Sequence, residues 1–373
     1  MTVSEQNAND QFIRIRQLTK RFGDFVAVDH VDLDIKRGEL FSILGSSGCG
    51  KSTLLRMLAG LESPTSGSIE IDGTEVTRQP PYERPVNMMF QSYAIFPHMS
   101  VEQNIAYGLR KDGVAKAEIA RRVDGMLDLV QLGDFRRRKP DQLSGGQRQR
   151  VALARSLIKE PKVLLLDEPL GALDKGLRER TQFELMNIQD KLGITFIVVT
   201  HDQEEAMTLS TRIAVMRDGR FLQIGDPKAI YEYPCNRFVA NFIGTINTFE
   251  GRVTGVDAEG IDVRSDEADR ELRALGDYSV GVGDTVCIAV RPEKIYISRD
   301  EPDNDEDTRF PGIVHDLGYF GNLSLYRIRL DNGKIVQASE QNRRRSAKRP
   351  VVWEDRVWIS WHPRSAIVLT GED

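Results

Sequence analysis

Gly45-Ser46-Ser47-Gly48-Cys49-Gly50-Lys51-Ser52-Thr53 fits the pattern G-x-x-x-x-G-K-[ST], and its flanks decide the fold. Leu40-Phe41-Ser42-Ile43-Leu44 before it is a short apolar run that reads as a buried strand. Thr53 to Gly60 after it reads as a helix that stops at a glycine. Strand, glycine loop and helix form an α/β unit that cradles phosphate. Glycine lets backbone N–H groups turn inward with no Cβ in the way. Those groups, and the positive end of the helix, receive phosphate oxygens. Lys51 adds a point charge, and the Ser52 hydroxyl is able to ligate Mg2+. The nine residues from Gly45 to Thr53 are therefore the expected nucleotide-binding loop.

Val163-Leu-Leu-Leu-Asp167-Glu168 is the second signal. A buried strand that ends in acid places a carboxylate at the C-terminal edge of a sheet, where open α/β sheets bind ligands. Asp167 is the expected metal ligand, and Glu168, one residue on, can address an attacking water. Leu143-Ser144-Gly145-Gly146-Gln147 is the third. The residues themselves leave two readings open: a plain N-cap by Ser144, or a second anion-receptive helix start.

The chain has 373 residues, enough for about two or three domains and a large core. Net charge is −5 and the pI about 5.7, which argues against a nucleic-acid binder. No stretch approaches the ~18 consecutive apolar residues of a membrane span. Met1 to Gln11 is polar, lacks a signal core and reads as a frayed tail. Cys49, Cys235 and Cys287 are far apart and odd in number, so they make neither a disulfide framework nor a metal site, and the cytosol is the expected compartment. Cys49 reads as a small filler of the loop.

Strand-like alternation fills Phe12 to Leu18 and Val26 to Ile35. From about Ser100 the period becomes helical, with helices expected over Val101 to Leu109, Lys116 to Leu132 and Gly145 to Lys159. A helical insertion, residues 92–160, thus sits inside an α/β domain. Leu177 to Leu192 and Asp202 to Leu209 read as further helices around the continuous apolar strand Thr195 to Thr200. Beyond Gly244 short alternating strands dominate, with Asp331-Asn-Gly333 as a hairpin turn. This C-terminal part reads as all-β, a small barrel or a sandwich. The acidic stretch Asp300 to Asp307 reads as a solvated loop.

Leu143-Ser144-Gly145-Gly146-Gln147, continued by Arg148-Gln-Arg-Val-Ala-Leu-Ala-Arg155, resembles the signature of the ABC-transporter ATPases. The phosphate loop lies upstream and the Asp167-Glu168 strand downstream, in that family's order. The resemblance implies a P-loop NTPase of ABC ATPase type, spanning residues 12–244 after a tail at 1–11. It implies ATP and Mg2+ as ligands and hydrolysis coupled to translocation as the activity. It assigns Phe22 to adenine stacking, although a core aromatic would look the same. It assigns Gln91 to Mg2+ and to sensing the membrane partner. Ala172-Leu-Asp174 matches the loop that touches the opposite subunit, though Asp174 could simply cap a helix. His201 matches the switch residue that reaches the γ-phosphate, though a lone histidine at a strand end is commonly structural. In the family, two copies sandwich two ATP molecules, each gripped by one loop and by Ser144, Gly145, Gly146 and Gln147 of the other copy. Lys51, Glu168 and His201 are then the catalytic set, with Ser52, Gln91 and Asp167 around the metal.

Without membrane spans, such a motor couples to separate subunits. Tyr93 to Met99 is expected to receive a coupling helix from a permease or to pack within the insertion. Val290-Arg291-Pro-Glu-Lys294 and Gly318 to Tyr326 resemble the OB-like regulatory domain of bacterial importer ATPases, here 245–373. Such domains accompany sugar, iron, sulfate and polyamine importers. Pro80 to Phe90, Arg138 to Leu143 and Phe242 to Gly251 look most like the polyamine group, its putrescine importers above all. The resemblance implies a homodimer, two permease subunits and a substrate-binding protein, at the cytoplasmic face of the inner membrane. A soluble ABC ATPase acting on ribosomes or nucleic acid is the other class. It commonly has two cassettes or a long coiled-coil insertion, and this chain has one cassette and a short insertion. Arg343-Arg-Arg345 with Lys348-Arg349 reads as a solvated face.

Overall fold

A computed structural model describes residues 11–171, 173–304, 307–343 and 351–371. The tail before Gln11, Ala172, the acidic pair 305–306 and the basic run 344–349 lie outside the described residues. The chain divides into two units, Met1–Ile230 and Tyr231–Asp373.

The first unit runs β1 (Gln11–Phe22), β2 (Phe25–Lys36), β3 (Leu40–Gly45), α1 (Lys51–Ala59), β4 (Ser66–Ile71), β5 (Thr74–Glu75) and β6 (Val86–Met89). Then come α2 (Val101–Lys111), α3 (Lys116–Leu129), α4 (Gly145–Leu157), β7 (Val163–Asp167), α5 (Lys175–Leu192), β8 (Thr195–Thr200), α6 (Gln203–Leu209), β9 (Arg212–Arg217) and β10 (Arg220–Gly225). One sheet is antiparallel, ordered β2-β1-β4-β5. The other is ordered β10-β9-β3-β8-β7-β6, parallel from β9 to β6 with antiparallel β10 at its edge.

Strands β3, β7 and β8 are buried at every residue, because helices and the second sheet cover both faces. Their register sets Leu44 beside Thr200, and Asp167 beside Val199. The C-terminal ends of β3, β8, β7 and β6 thus lie side by side, at the edge where the loop, Thr200, Asp167 and the Gln91 segment begin.

Helices α2, α3 and α4 form the insertion. Val101, Ile105 and Leu109 of α2 share a core with Ile119, Val123 and Leu127 of α3, each set at four-residue spacing. Val151, Ala154 and Leu157 of α4 join the same cluster as Leu164 and Leu166 of β7. Helix α3 stops at Leu129, short of the expected Leu132, because Gln131 turns left-handed at φ 55°. Helix α4 stops at Leu157, short of Lys159, and Glu160 takes φ 54° before Pro161.

Arg84, 6% exposed, fastens this unit from within. Its guanidinium donates to the Met57 and Leu58 carbonyls at the end of α1, and to the Gln79 and Thr77 carbonyls (2.7–3.1 Å). A cation at a helix C-terminus is favourably placed.

The second unit contains β11 (Asn247–Val256), β12 (Gly260–Ser265), β13 (Arg270–Leu275), β14 (Thr285–Val290), β15 (Tyr296–Ser298), β16 (Thr308–Tyr319), β17 (Leu323–Leu330), β18 (Ile335–Gln341), β19 (Arg356–Trp361) and β20 (Ala366–Leu369). They make two five-stranded antiparallel sheets, ordered β13-β12-β11-β14-β20 and β15-β19-β16-β17-β18. Phe249, Phe310 and Trp361 stack at 5.4–6.0 Å between ring centroids in their shared core. Asp331 to Gly333 turns β17 into β18, as its sequence predicts.

Sequence character places the domain boundary at Gly244; the contacts place it at Tyr231. The reason is Arg291, a fully buried cation that donates to the Ala240, Thr245 and Tyr231 carbonyls. Those bonds tie Tyr231, within α7 (Pro227–Glu232), and Ala240 of α8 (Arg237–Phe242) to the β strands of the second unit.

Candidate active site

The loop after β3 is shaped by close backbone approach. A Cβ on Gly45 would lie 2.4 Å from the Met216 carbonyl oxygen, and one on Gly50 2.2 Å from that of Ala27. Gly50 also caps α1 at φ 108°, a conformation open to glycine alone. Ser46, Ser47 and Gly48 are exposed along the rim, Cys49 is buried as the expected filler, and Thr53 is half-buried on α1. Lys51 is 5% exposed and lies under the loop. Its Nζ donates to the Gly45 and Ser46 carbonyls, each at 2.8 Å.

Ser52 follows on the first turn of α1 and donates its hydroxyl to Asp167 Oδ1 at 3.2 Å. Burial pushes the Asp167 carboxyl above the usual range; the Ser52 hydrogen bond pulls it back, and the neighbouring Glu168 charge adds to the rise. Hydroxyl, carboxylate and the Gln91 amide oxygen are hard donors of the kind Mg2+ takes. Among the described residues no cluster of three or more His, Cys, Asp or Glu could hold a metal by itself.

Glu168 leaves β7 in the left-handed region at φ 47°, its N–H donating to the Val199 carbonyl at 2.8 Å. Such a backbone costs a non-glycine residue about 1–2 kcal/mol and must be held by its surroundings. The turn presents the carboxylate to two neighbours. Gln91 Nε2, beyond β6, donates to Glu168 Oε2 at 2.7 Å. His201 Nδ1, beyond β8, lies 2.9 Å from Glu168 Oε1. The fold therefore brings Lys51, Ser52, Asp167, Glu168, Gln91 and His201 to one sheet edge. Gln91 and His201, expected to address Mg2+ and phosphate, are here both bonded to Glu168.

The helix starts form a second group. Ser144 Oγ accepts from the Gln147 N–H at 3.3 Å and Gln147 Oε1 from the Ser144 N–H at 2.9 Å, a reciprocal capping box. The cap is real, and it leaves the first-turn amides of Gly145 and Gly146 for an external acceptor. A Cβ on Gly146 would press on Leu177 at 2.9 Å, so α4 and α5 meet closely there. Asp174 caps α5 by accepting from the Leu177 N–H at 3.1 Å. Among the described residues no hydrogen bond joins this group to Lys51 or Glu168. Phe22 is 48% exposed, with Lys20 Nζ 4.7 Å from its ring centre, so the ring is a surface group and not a core aromatic.

Two elements escaped the sequence reading. Arg178 on α5 bonds Asp202 and the Leu173 carbonyl, linking the Asp174 turn to the His201 turn. Glu205 on α6 is 1% exposed and accepts from the Thr200 hydroxyl. Asp202-Gln-Glu-Glu205 has capping-box spacing, which was the available signal. Asp202 does cap, but Glu205 turns inward instead of closing the box.

Burial pushes the Glu205 carboxyl up to about 7, against the Thr200 bond. Asp202 adds to the rise, while Arg178 and His201 oppose it. A folded value above the unfolded one favours the protonated fold. That stability is fully present below the unfolded value and is lost as pH rises through about 7. Glu205→Gln should remove this slope. Relative to the parent it should gain about 2–3 kcal/mol between about pH 5 and about pH 8, read from urea midpoints. Parallel midpoint curves for the two proteins would refute the burial effect.

A family model described as "ABC transporter" matches residues 28–171, and one described as "TOBE domain" matches residues 288–369. The putrescine transport ATP-binding protein PotG of Escherichia coli (strain K12) is 52% identical over 358 residues, 96% of this chain and 95% of that protein. The spermidine/putrescine import ATP-binding protein PotA of Rubrobacter xylanophilus is 50% identical over 362 residues, 96% of this chain and 94% of that protein. The solved dimer of the ATP-binding cassette MJ0796, in a post-hydrolysis state bound to ADP and Pi, covers 58% of this chain and 98% of that one at 32% identity and TM-score 0.51. No helix among the described residues is long and apolar enough to cross a membrane. With a glycine-built phosphate loop, an acid-tipped strand in the same sheet and near full-length relatives of one kind, the chain belongs to the ABC transporter family as an ATPase subunit with a C-terminal TOBE domain.

Proposed function

We propose that this chain powers uptake of a polyamine, putrescine or spermidine, by hydrolysing ATP at the shared edge of β3, β6, β7 and β8. The observation that carries the chemistry is the Glu168 carboxylate, held by Gln91 and His201 one residue after the Ser52–Asp167 pair.

The roles follow from what each group can donate or accept. Lys51 holds its ammonium on loop carbonyls. Phosphate oxygens are stronger acceptors, so the ammonium moves to them when nucleotide enters. Ser52, Asp167 and Gln91 are the oxygen donors that would hold Mg2+, which when bound neutralises phosphate charge. Glu168 takes a proton from water as the water oxygen joins the terminal phosphorus and the bond to the β-phosphate oxygen breaks. His201 and Lys51 donate to the oxygens of the transferring group. The exposed Phe22 ring offers a face to adenine.

Ser144, Gly145, Gly146 and Gln147 serve the nucleotide bound to a second copy, with Asp174 at that same contact. ATP then closes the homodimer, and hydrolysis opens it. Two permease subunits, and through them a substrate-binding protein, receive that motion at the cytoplasmic face of the membrane. The polyamine assignment is supported by the names of relatives about half identical along nearly the whole chain.

The test is uptake of labelled putrescine, spermidine, ferric iron and maltose in a strain lacking this gene, with and without its restoration. Loss and recovery of amine uptake is the expected outcome. Unchanged amine uptake with loss of iron or maltose uptake would reassign the cargo. Recovery of the chain with ribosomes or DNA, and with no membrane subunit, would replace the importer reading.

A further inference from the structure

Gln91 must leave β6 and turn sharply to reach Glu168, and the turn that follows it is unusual. Tyr93 and Ala94 are consecutive non-glycine residues in the left-handed region, at φ 60° and φ 43°. L-residues visit that region singly and reluctantly, so two in a row must be held from outside. The holder is Arg155 on α4. Its Nη1 donates to the Ala94 carbonyl at 2.6 Å and its Nη2 to the Tyr93 carbonyl at 3.2 Å. The guanidinium carbon also lies 5.2 Å from the Phe96 ring centre. Asn104, fully buried on α2, pins the far end by accepting from the Phe96 N–H at 2.8 Å and donating to its carbonyl at 3.1 Å. Gln91 is thus held at one end by Glu168, while the segment behind it is clasped by two helices of the insertion.

We infer that Arg155 is a positioning residue: by fixing the left-handed step at Tyr93 and Ala94, it aims Gln91 at Glu168 and ties that aim to helix α4, whose start is Ser144. The inference rests on the catalytic role proposed for Glu168. Arg155 touches no reacting group. It acts on the backbone behind one that does, and its planar fork suits two adjacent carbonyls as a lysine's single ammonium does not.

The experiment compares the full-length parent, Arg155→Lys, Ala94→Gly and the double variant in steady-state ATP hydrolysis and nucleotide binding. Arg155→Lys should lower kcat about tenfold with KM for ATP unchanged, since misplacing a positioning group erodes turnover before binding. Glycine adopts the left-handed step freely. Adding Ala94→Gly should therefore restore most of the lost kcat. Packing or folding support from Arg155 alone would not be repaired by a glycine placed in the turn.

Unchanged kcat in Arg155→Lys, a loss confined to KM, or a loss that Ala94→Gly leaves in place would each overturn the inference. Glu168→Gln, assayed alongside, tests the underlying reading separately. Full turnover in that variant would remove Glu168 from catalysis, whereas the glycine rescue reports on Arg155.

Discussion

Glu168→Gln is expected to slow ATP hydrolysis by about 10²–10⁴-fold while nucleotide still binds, the range that loss of a general base produces. The substitution is nearly isosteric, so the left-handed turn and its Val199 bond persist. What changes is acceptor capacity. The carboxylate accepts from Gln91 at one oxygen and faces His201 with the other. An amide keeps one acceptor oxygen, for Gln91, and turns an NH2 group toward the His201 ring, whose Nδ1 can accept in its other tautomer. The architecture is preserved and the proton acceptor is gone. Phosphate release should fall, equilibrium ATP binding should hold, and ATP should accumulate closed dimers. Turnover equal to the parent would sink the assignment, and loss of nucleotide binding would make Glu168 a structural residue.

Arg84→Met should be the most damaging change away from the site, lowering stability by about 3 kcal/mol or more. Methionine matches the aliphatic stem and takes the guanidinium from the Leu58, Gln79 and Thr77 carbonyls, while the Met57 carbonyl keeps the Gly60 N–H as its donor. Each buried acceptor so abandoned costs about 1–3 kcal/mol where water cannot replace the donor. Lysine should recover less than half of the loss, because one ammonium cannot meet carbonyls on both sides of a planar fork. Gly60 closes the same device: a Cβ there would lie 2.6 Å from Arg84 Nε. Urea midpoints for the parent and both variants check the prediction, and an unchanged Arg84→Met midpoint would refute it. The effect should reach function, because Arg84 braces the far end of the helix that begins at Lys51.

Much of the site was legible in the chain because its parts are local. The glycines at 45 and 50, the acid after an apolar run at 163–167 and the Ser144 cap each occupy a window of a few residues. Backbone sterics and hydrogen-bonding chemistry constrain such windows directly. Where structure and sequence expectation differ, the cause is long-range or conformational. Helices α3 and α4 end earlier than their apolar periodicity predicts, since that periodicity does not register a left-handed residue such as Gln131 or Glu160. Composition changes at Gly244, while the contacts divide the chain at Tyr231, where the buried Arg291 reaches carbonyls 46–60 residues away. Arg84, Arg155, Asn104 and Glu205 look like ordinary polar residues in sequence. Burial against distant carbonyls and hydroxyls gives them their roles.

Neighbouring residues alone specify a phosphate loop, an acid-tipped strand and a capped glycine helix, their order and their side-chain chemistry. Period, dihedral freedom and capping are properties of neighbours along the chain. It takes the folded chain to bring Gln91 and His201, 77 and 33 residues from Glu168, onto its two carboxylate oxygens. That meeting depends on β6, β7 and β8 lying parallel and adjacent, an order set by long-range hydrogen bonding and burial of both sheet faces.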